Sequence, residues 1–151
     1  MCLTVNNSLR SPRRNKNGDY IVYKILNRCP TTIEGEYDFI SPYQGGMPWV
    51  SGECISTYLP PFSRHQKLTK GNLVFEGFHS FPLLREAILH EELYTTMLET
   101  RYDVCIFRAT FKPEYLIAKG RFSGLRSVVS SRLTIDLEKP IWESNATLGE
   151  E

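Results

Sequence analysis

The sequence predicts an α+β fold: a strongly bent, mostly antiparallel sheet of about five to seven strands, with one principal helix near residues 82–99. Three observations predict it. A single stretch carries a helical period, with Leu84, Ala87 and Ile88 on one face and Arg85, Glu86, Glu91 and Glu92 mostly off it. Several short runs are β-branched and aromatic, as strands are. Between them lie clusters of glycine and proline, densest from Asn27 to Lys70.

Residues 1–18 are polar and basic and are broken by Pro12 and Gly18, so they are expected to form a flexible arm, with Leu3 and Val5 pinned to a sheet edge. Asp19 to Leu26 is the first strand, with Lys24 the only charge in its central run. Short strands are expected at Tyr37–Ile40 and Val50–Tyr58, separated by ordered loops of the kind that often bind partners. Next comes a short apolar strand ending at Phe75, then the corner Gly77-Phe78-His79-Ser80-Phe81-Pro82. Pro82 suits the first turn of a helix, where its missing N–H leaves nothing unsatisfied, and Ser80 can cap it. The helix should end between Leu98 and Arg101.

Asp103 to Phe111 is a near-continuous apolar run and should therefore be a central strand covered on both faces. Lys112-Pro113-Glu114 turns the chain, and Tyr115–Ala118 continues as a strand. Gly120 and Gly124 are expected to frame another turn. The Val128-Val129 pair breaks alternation and suggests a bulge or a short helical turn. Arg132 to Leu137 alternates polar and apolar residues as a half-buried strand does. These elements give a flexible basic arm at 1–18, a single α+β domain at 19–139 and a peripheral acidic tail at 140–151.

At 151 residues, 41% hydrophobic and 12% aromatic, the chain can bury a sizeable core. A net charge of +1 gives no global field favouring nucleic acid or membrane, but the charge is unevenly placed. Arg10, Arg13, Arg14 and Lys16 stand together with no acid among them, whereas Glu138, Glu143, Glu150 and Glu151 gather at the end. No apolar run approaches the ~18 residues that span a bilayer. Met1-Cys2-Leu3-Thr4-Val5 is followed at once by polar residues and not by a signal-peptide core, so a cytoplasmic protein is expected. Its four cysteines, Cys2, Cys29, Cys54 and Cys105, are then expected to be free thiols.

No phosphate-binding glycine loop, dinucleotide fingerprint or nucleophile elbow is present. His65, His79 and His90 share no metal-ligand spacing, and Cys54 has no context that would activate it as a nucleophile. The sequence therefore assigns no catalytic residue, metal or cofactor. His79, between Phe78 and Phe81 at the corner, is a candidate ligand contact, although a histidine among aromatics is more often held structurally. Between Tyr115 and Ile135 stand Lys119, Arg121, Arg126 and Arg132 with no acid. They form a candidate binding patch for phosphate or for an acidic protein surface, or else a charged sheet edge that blocks unwanted pairing. If one uninterrupted strand joined Arg126 and Arg132, its period of two would put both on one face.

The first strand, the Gly77-Phe78-His79-Ser80-Phe81 corner with its helix, the strand at Val104–Phe111 and a closing basic strand resemble small uncharacterised proteins of phages and mobile elements that carry a similar G-F-H-x-F corner. More distantly, the strand–corner–helix order and the Phe111-Lys112-Pro113-Glu114 turn resemble the ADP-ribosyltransferase fold. That fold would place a catalytic arginine or histidine where this chain has Tyr23-Lys24, and its late glutamate pair is reduced here to Glu138. The first resemblance supplies no activity; the absence of a catalytic constellation, the loop-rich segment at 27–70 and the basic strand region lead to the expectation of a small interaction protein that binds a host protein or ribonucleoprotein without catalysis, such as an inhibitor of a host defence component. The second implies an NAD-handling transferase. The basic arm and strands offer a third reading, nucleic-acid binding.

Overall fold

A computed structural model describes residues 3–41, 48–55, 70–71, 73–74, 77–98 and 103–144. Along the chain its strands are β1 (Leu3–Val5), β2 (Tyr20–Pro30), β3 (Tyr37–Ile40), β4 (Gly52–Ile55), β5 (Leu73–Val74) and β6 (Phe78–Ser80). After helix α1 (Leu84–Leu98) come β7 (Asp103–Phe111), β8 (Leu116–Phe122), β9 (Leu125–Ser130), β10 (Arg132–Ile135) and β11 (Trp142–Glu143). The first sheet has the order β5-β1-β8-β9-β6. The second has the order β3-β2-β7-β10-β4, with β11 also on β7. All the pairings are antiparallel. The fold is thus α+β in the broad sense but dominated by sheet.

The pair β2–β7 is the spine, in register from Tyr20 opposite Phe111 to Arg28 opposite Asp103. Its residues separate by the two-residue period of a strand. Tyr20, Val22, Leu26, Cys105, Phe107, Ala109 and Phe111 enter one core with Val128 of the other sheet. Ile21, Tyr23, Ile25, Val104 and Ile106 enter a second core with Phe81 and with Ala87 of α1. Coverage on both faces explains why residues 103–111 are apolar almost without interruption. At one end, Arg28 bonds Asp103 at 3.0 Å and Glu143 at 2.7 Å, tying β2, β7 and β11 together.

The expected single bent sheet is two sheets with eleven strands among the described residues. They meet at one corner, where Tyr23 and Phe81 exchange backbone hydrogen bonds of 2.8 and 2.9 Å. The surplus strands are mostly two to four residues long, too short to show a period in sequence. Ser80 does not cap the helix: it is fully buried in β6, and its carbonyl accepts a bond from Ser127 Oγ at 3.1 Å. Leu3 and Val5 of the arm are buried in β1, between β5 and β8. The tail contributes β11 through Trp142, so its first residues belong to the sheet.

Gly77 takes a φ of 96°, as the corner requires. Gly120 lies inside β8, where a Cβ would collide with the backbone carbonyl of Thr4; the turn itself falls at Ser123-Gly124, both at positive φ. Val128-Val129 is regular strand, and the irregularity lies across from it between Leu116 and Ala118. The Val50–Tyr58 strand is found as β4, with residues 56–58 outside the described residues. Among the described residues no helix is long and apolar enough to cross a membrane.

Candidate functional site: an arginine-lined cleft

β7 occupies one edge of β2 along most of its length, and three segments dock in turn on the other edge. Arg13 accepts the N–H of Ile21 at 2.8 Å, Phe81 exchanges two bonds with Tyr23, and β3 pairs from Asn27 onward. Between the first two docks the arm and the start of α1 stand apart, and the gap is a cleft of about 760 Å³. Ile21 and Tyr23, both nearly buried, form its floor, and Pro12, Leu84 and Ile88 its apolar sides. This volume lies within the range of ligand sites.

Four arginines line the cleft: Arg10 and Arg13 from the arm, Arg85 from the first turn of α1, and Arg126 from β9. Arg126 is the best anchored, since its guanidinium donates to the Arg10 carbonyl at 2.6 Å and its backbone N–H to Glu86 Oε2 at 3.1 Å. No carboxylate is among the described residues that line the cleft, and Glu86 is occupied by the Arg126 backbone. The positive field continues outside. Lys119 Nζ donates to Ser11 Oγ at 3.2 Å, Arg14 lies 5.2 Å above the Tyr20 ring, and Arg121 pairs directly with Arg126 across the β8–β9 hairpin. The Tyr20 phenol is lowered, first by its hydrogen bond with Ser11 and further by Arg14 and Lys119. Guanidinium groups hold carboxylate and phosphate in bidentate geometry, so the arrangement can dock anions.

No family model, curated protein or solved structure matches this chain.

The candidate residues read from the sequence do not all meet in one place. Arg126 lines the cleft, with Lys119 and Arg121 beside it. Arg132 does not join them. Ser131 separates β9 from β10, the two strands enter different sheets, and Arg132 bonds Glu53 at 3.3 Å while stacking 4.7 Å from the Tyr115 centroid. Arg10, Arg13 and Arg85 were visible only as a basic arm and as a charge off the helical face. What unites them is pairing between segments remote in sequence, which no local pattern encodes.

His79 is buried at 3% exposure within β6, on the strand side of the corner. Its carbonyl accepts a 2.8 Å hydrogen bond from Lys24 Nζ. Lys24 is itself only 5% exposed, on the sheet face opposite Ile21 and Tyr23, with Trp49 packed 5.3 Å away. Burial depresses its amine to about 8. Lys24 therefore faces away from the cleft, whereas its neighbour Tyr23 lines it. Burial also raises the thiols, Cys105 to about 11 and Cys29 and Cys54 above their ordinary value, the reverse of what a thiolate nucleophile needs. These three cysteines are free, and Cys2 lies outside the described residues. Among the described residues no group of His, Cys, Asp and Glu is placed to hold a metal.

Proposed function

We propose that the protein is an interaction protein that acts by binding, its arginine-lined cleft receiving an anionic segment of a partner macromolecule. The observation that carries this is the convergence of Arg10, Arg13, Arg85 and Arg126 on one concave site with an apolar floor. In a chain of net charge +1 such local concentration is a feature of the site, not of bulk composition. A lone positive edge defended against pairing would lie on an exposed strand, whereas these four side chains come from an arm, a helix and an interior strand. The resemblance to small proteins of phages and mobile elements fits a partner of host origin, such as a protein or ribonucleoprotein.

The test uses defined polyanions. Fluorescence anisotropy would follow labelled polyglutamate, single-stranded DNA and duplex DNA against the intact protein, at low and at near-physiological salt. At least one of them should bind, with affinity that falls as salt rises, and Arg85→Glu/Arg126→Glu should weaken it by about tenfold or more. Unchanged binding by the charge-reversed protein, or no binding of any polyanion, would overturn the assignment.

A further inference from the structure

Resting on that reading, we infer that the cleft's occupant is an acidic peptide segment carrying an aliphatic anchor, supplied by a partner protein. Two properties of the site decide this. The rim demands negative charge from more than one direction, since its arginines come from the arm, from α1 and from β9. The apolar part demands something else: beside Tyr23 on the floor, Ile21 and the side-wall residues Leu84 and Ile88 are aliphatic side chains that bind by burial and not by stacking.

Nucleic acid fits the rim and not the floor. Proteins that hold single strands present exposed aromatic faces on which bases stack. Among the described residues that line the cleft the one aromatic side chain, Tyr23, is 9% exposed and tied by its backbone to Phe81. A duplex backbone would use the positive surface that Arg14, Lys119 and Arg121 extend and would leave the apolar lining of the cleft unfilled. A peptide that places carboxylates on Arg85 and Arg126, on Arg10 or Arg13, and a leucine or isoleucine between them satisfies both parts. Docking of an apolar residue into a groove with charged flanks is an established mode of peptide recognition.

The experiment compares short labelled peptides by anisotropy: one rich in Glu and Asp with two leucines, the same peptide with both leucines replaced by serine, and one with its acids replaced by lysine. A single-stranded oligonucleotide of similar length is run alongside. The acidic leucine peptide should bind, the serine version about tenfold more weakly, and the lysine version not measurably. Arg85→Glu should weaken the leucine peptide by about tenfold or more, circular dichroism showing that this exposed substitution leaves the fold intact. Equal affinity for the leucine and serine peptides overturns the aliphatic anchor. Oligonucleotide binding that is lost in Arg85→Glu, without peptide binding, overturns the peptide while leaving an anion-binding cleft. Failure of every probe overturns both.

Discussion

Lys24→Met should make the protein more stable at neutral pH. In the native state the amine lies in the core with one acceptor, the His79 carbonyl, and the Trp49 ring; it forms no ion pair among the described residues. Its tendency to hold a proton falls from the ordinary 10.5 to about 8, and burial is the cause. At about 1.4 kcal/mol per pH unit, the charged form is penalised by about 3 kcal/mol at pH 7. Methionine fills the same unbranched volume and removes that penalty, together with about 1–2 kcal/mol of hydrogen bonding and ring contact. The net expectation is a gain of about 1–2 kcal/mol at pH 7, in keeping with other replacements of buried charge by apolar groups. The pH dependence gives a second handle. Below about 8 both the folded and the unfolded chain carry the proton and the penalty is complete. Between about 8 and 10.5 the unfolded chain binds more protons than the folded one, so the wild type gains stability as pH rises through that window. The variant's lead should therefore shrink by about 2 kcal/mol between pH 7 and pH 10, read from urea midpoints at each pH. A variant less stable at pH 7, by a margin that stays constant to pH 10, would refute the reasoning and mean that the buried ammonium is favourably held.

Two further outcomes test other parts of the fold. Gly120→Ala would drive a methyl group into the Thr4 carbonyl and Leu3, so β1 should be displaced and stability should fall by about 2 kcal/mol or more in urea denaturation; an unchanged midpoint would mean that β1 does not pack there. His90, 3% exposed between the Phe81 and Phe122 rings, is lowered by burial to about 4. Its ring signals should therefore not titrate above about pH 5 by NMR. Because the unfolded chain binds that proton first, its contribution to stability should be lost as pH falls from 6.5 to about 4.

The strands that carry both cores were legible because their composition is dictated by burial on two sides: Asp103–Phe111 appears where its apolar run placed it, and Tyr20–Leu26 forms the first half of β2. Helix α1 was legible from Leu84, Ala87 and Ile88, which pack on Phe81 and Ile106. Its start was misplaced because Pro82 and Ser80 have helix-opening chemistry, whereas β6 uses Ser80 to pair with Val128. Tertiary pairing overrode the local signal there. The cleft was legible only in pieces. Arg126 was singled out, but its partnership with Arg10 and Arg85 comes from the edge of β2, where a bond to Ile21 and another to Tyr23 hold residues 13 and 81 on one edge with the cleft between their segments. Arg132 was grouped with Arg126 by spacing along the chain, and the break at Ser131 sends it elsewhere.

The most direct measurement is a backbone-amide NMR titration of the full chain with the acidic leucine peptide at near-physiological salt. Binding at the cleft should shift the amides of residues 10, 11, 13, 21–23, 83–88 and 126 together, while those of β4 and of Arg132 stay in place. Shifts centred on Arg132 and Glu53, or spread evenly over every basic residue, would contradict a built site in the cleft and leave only diffuse attraction to positive charge.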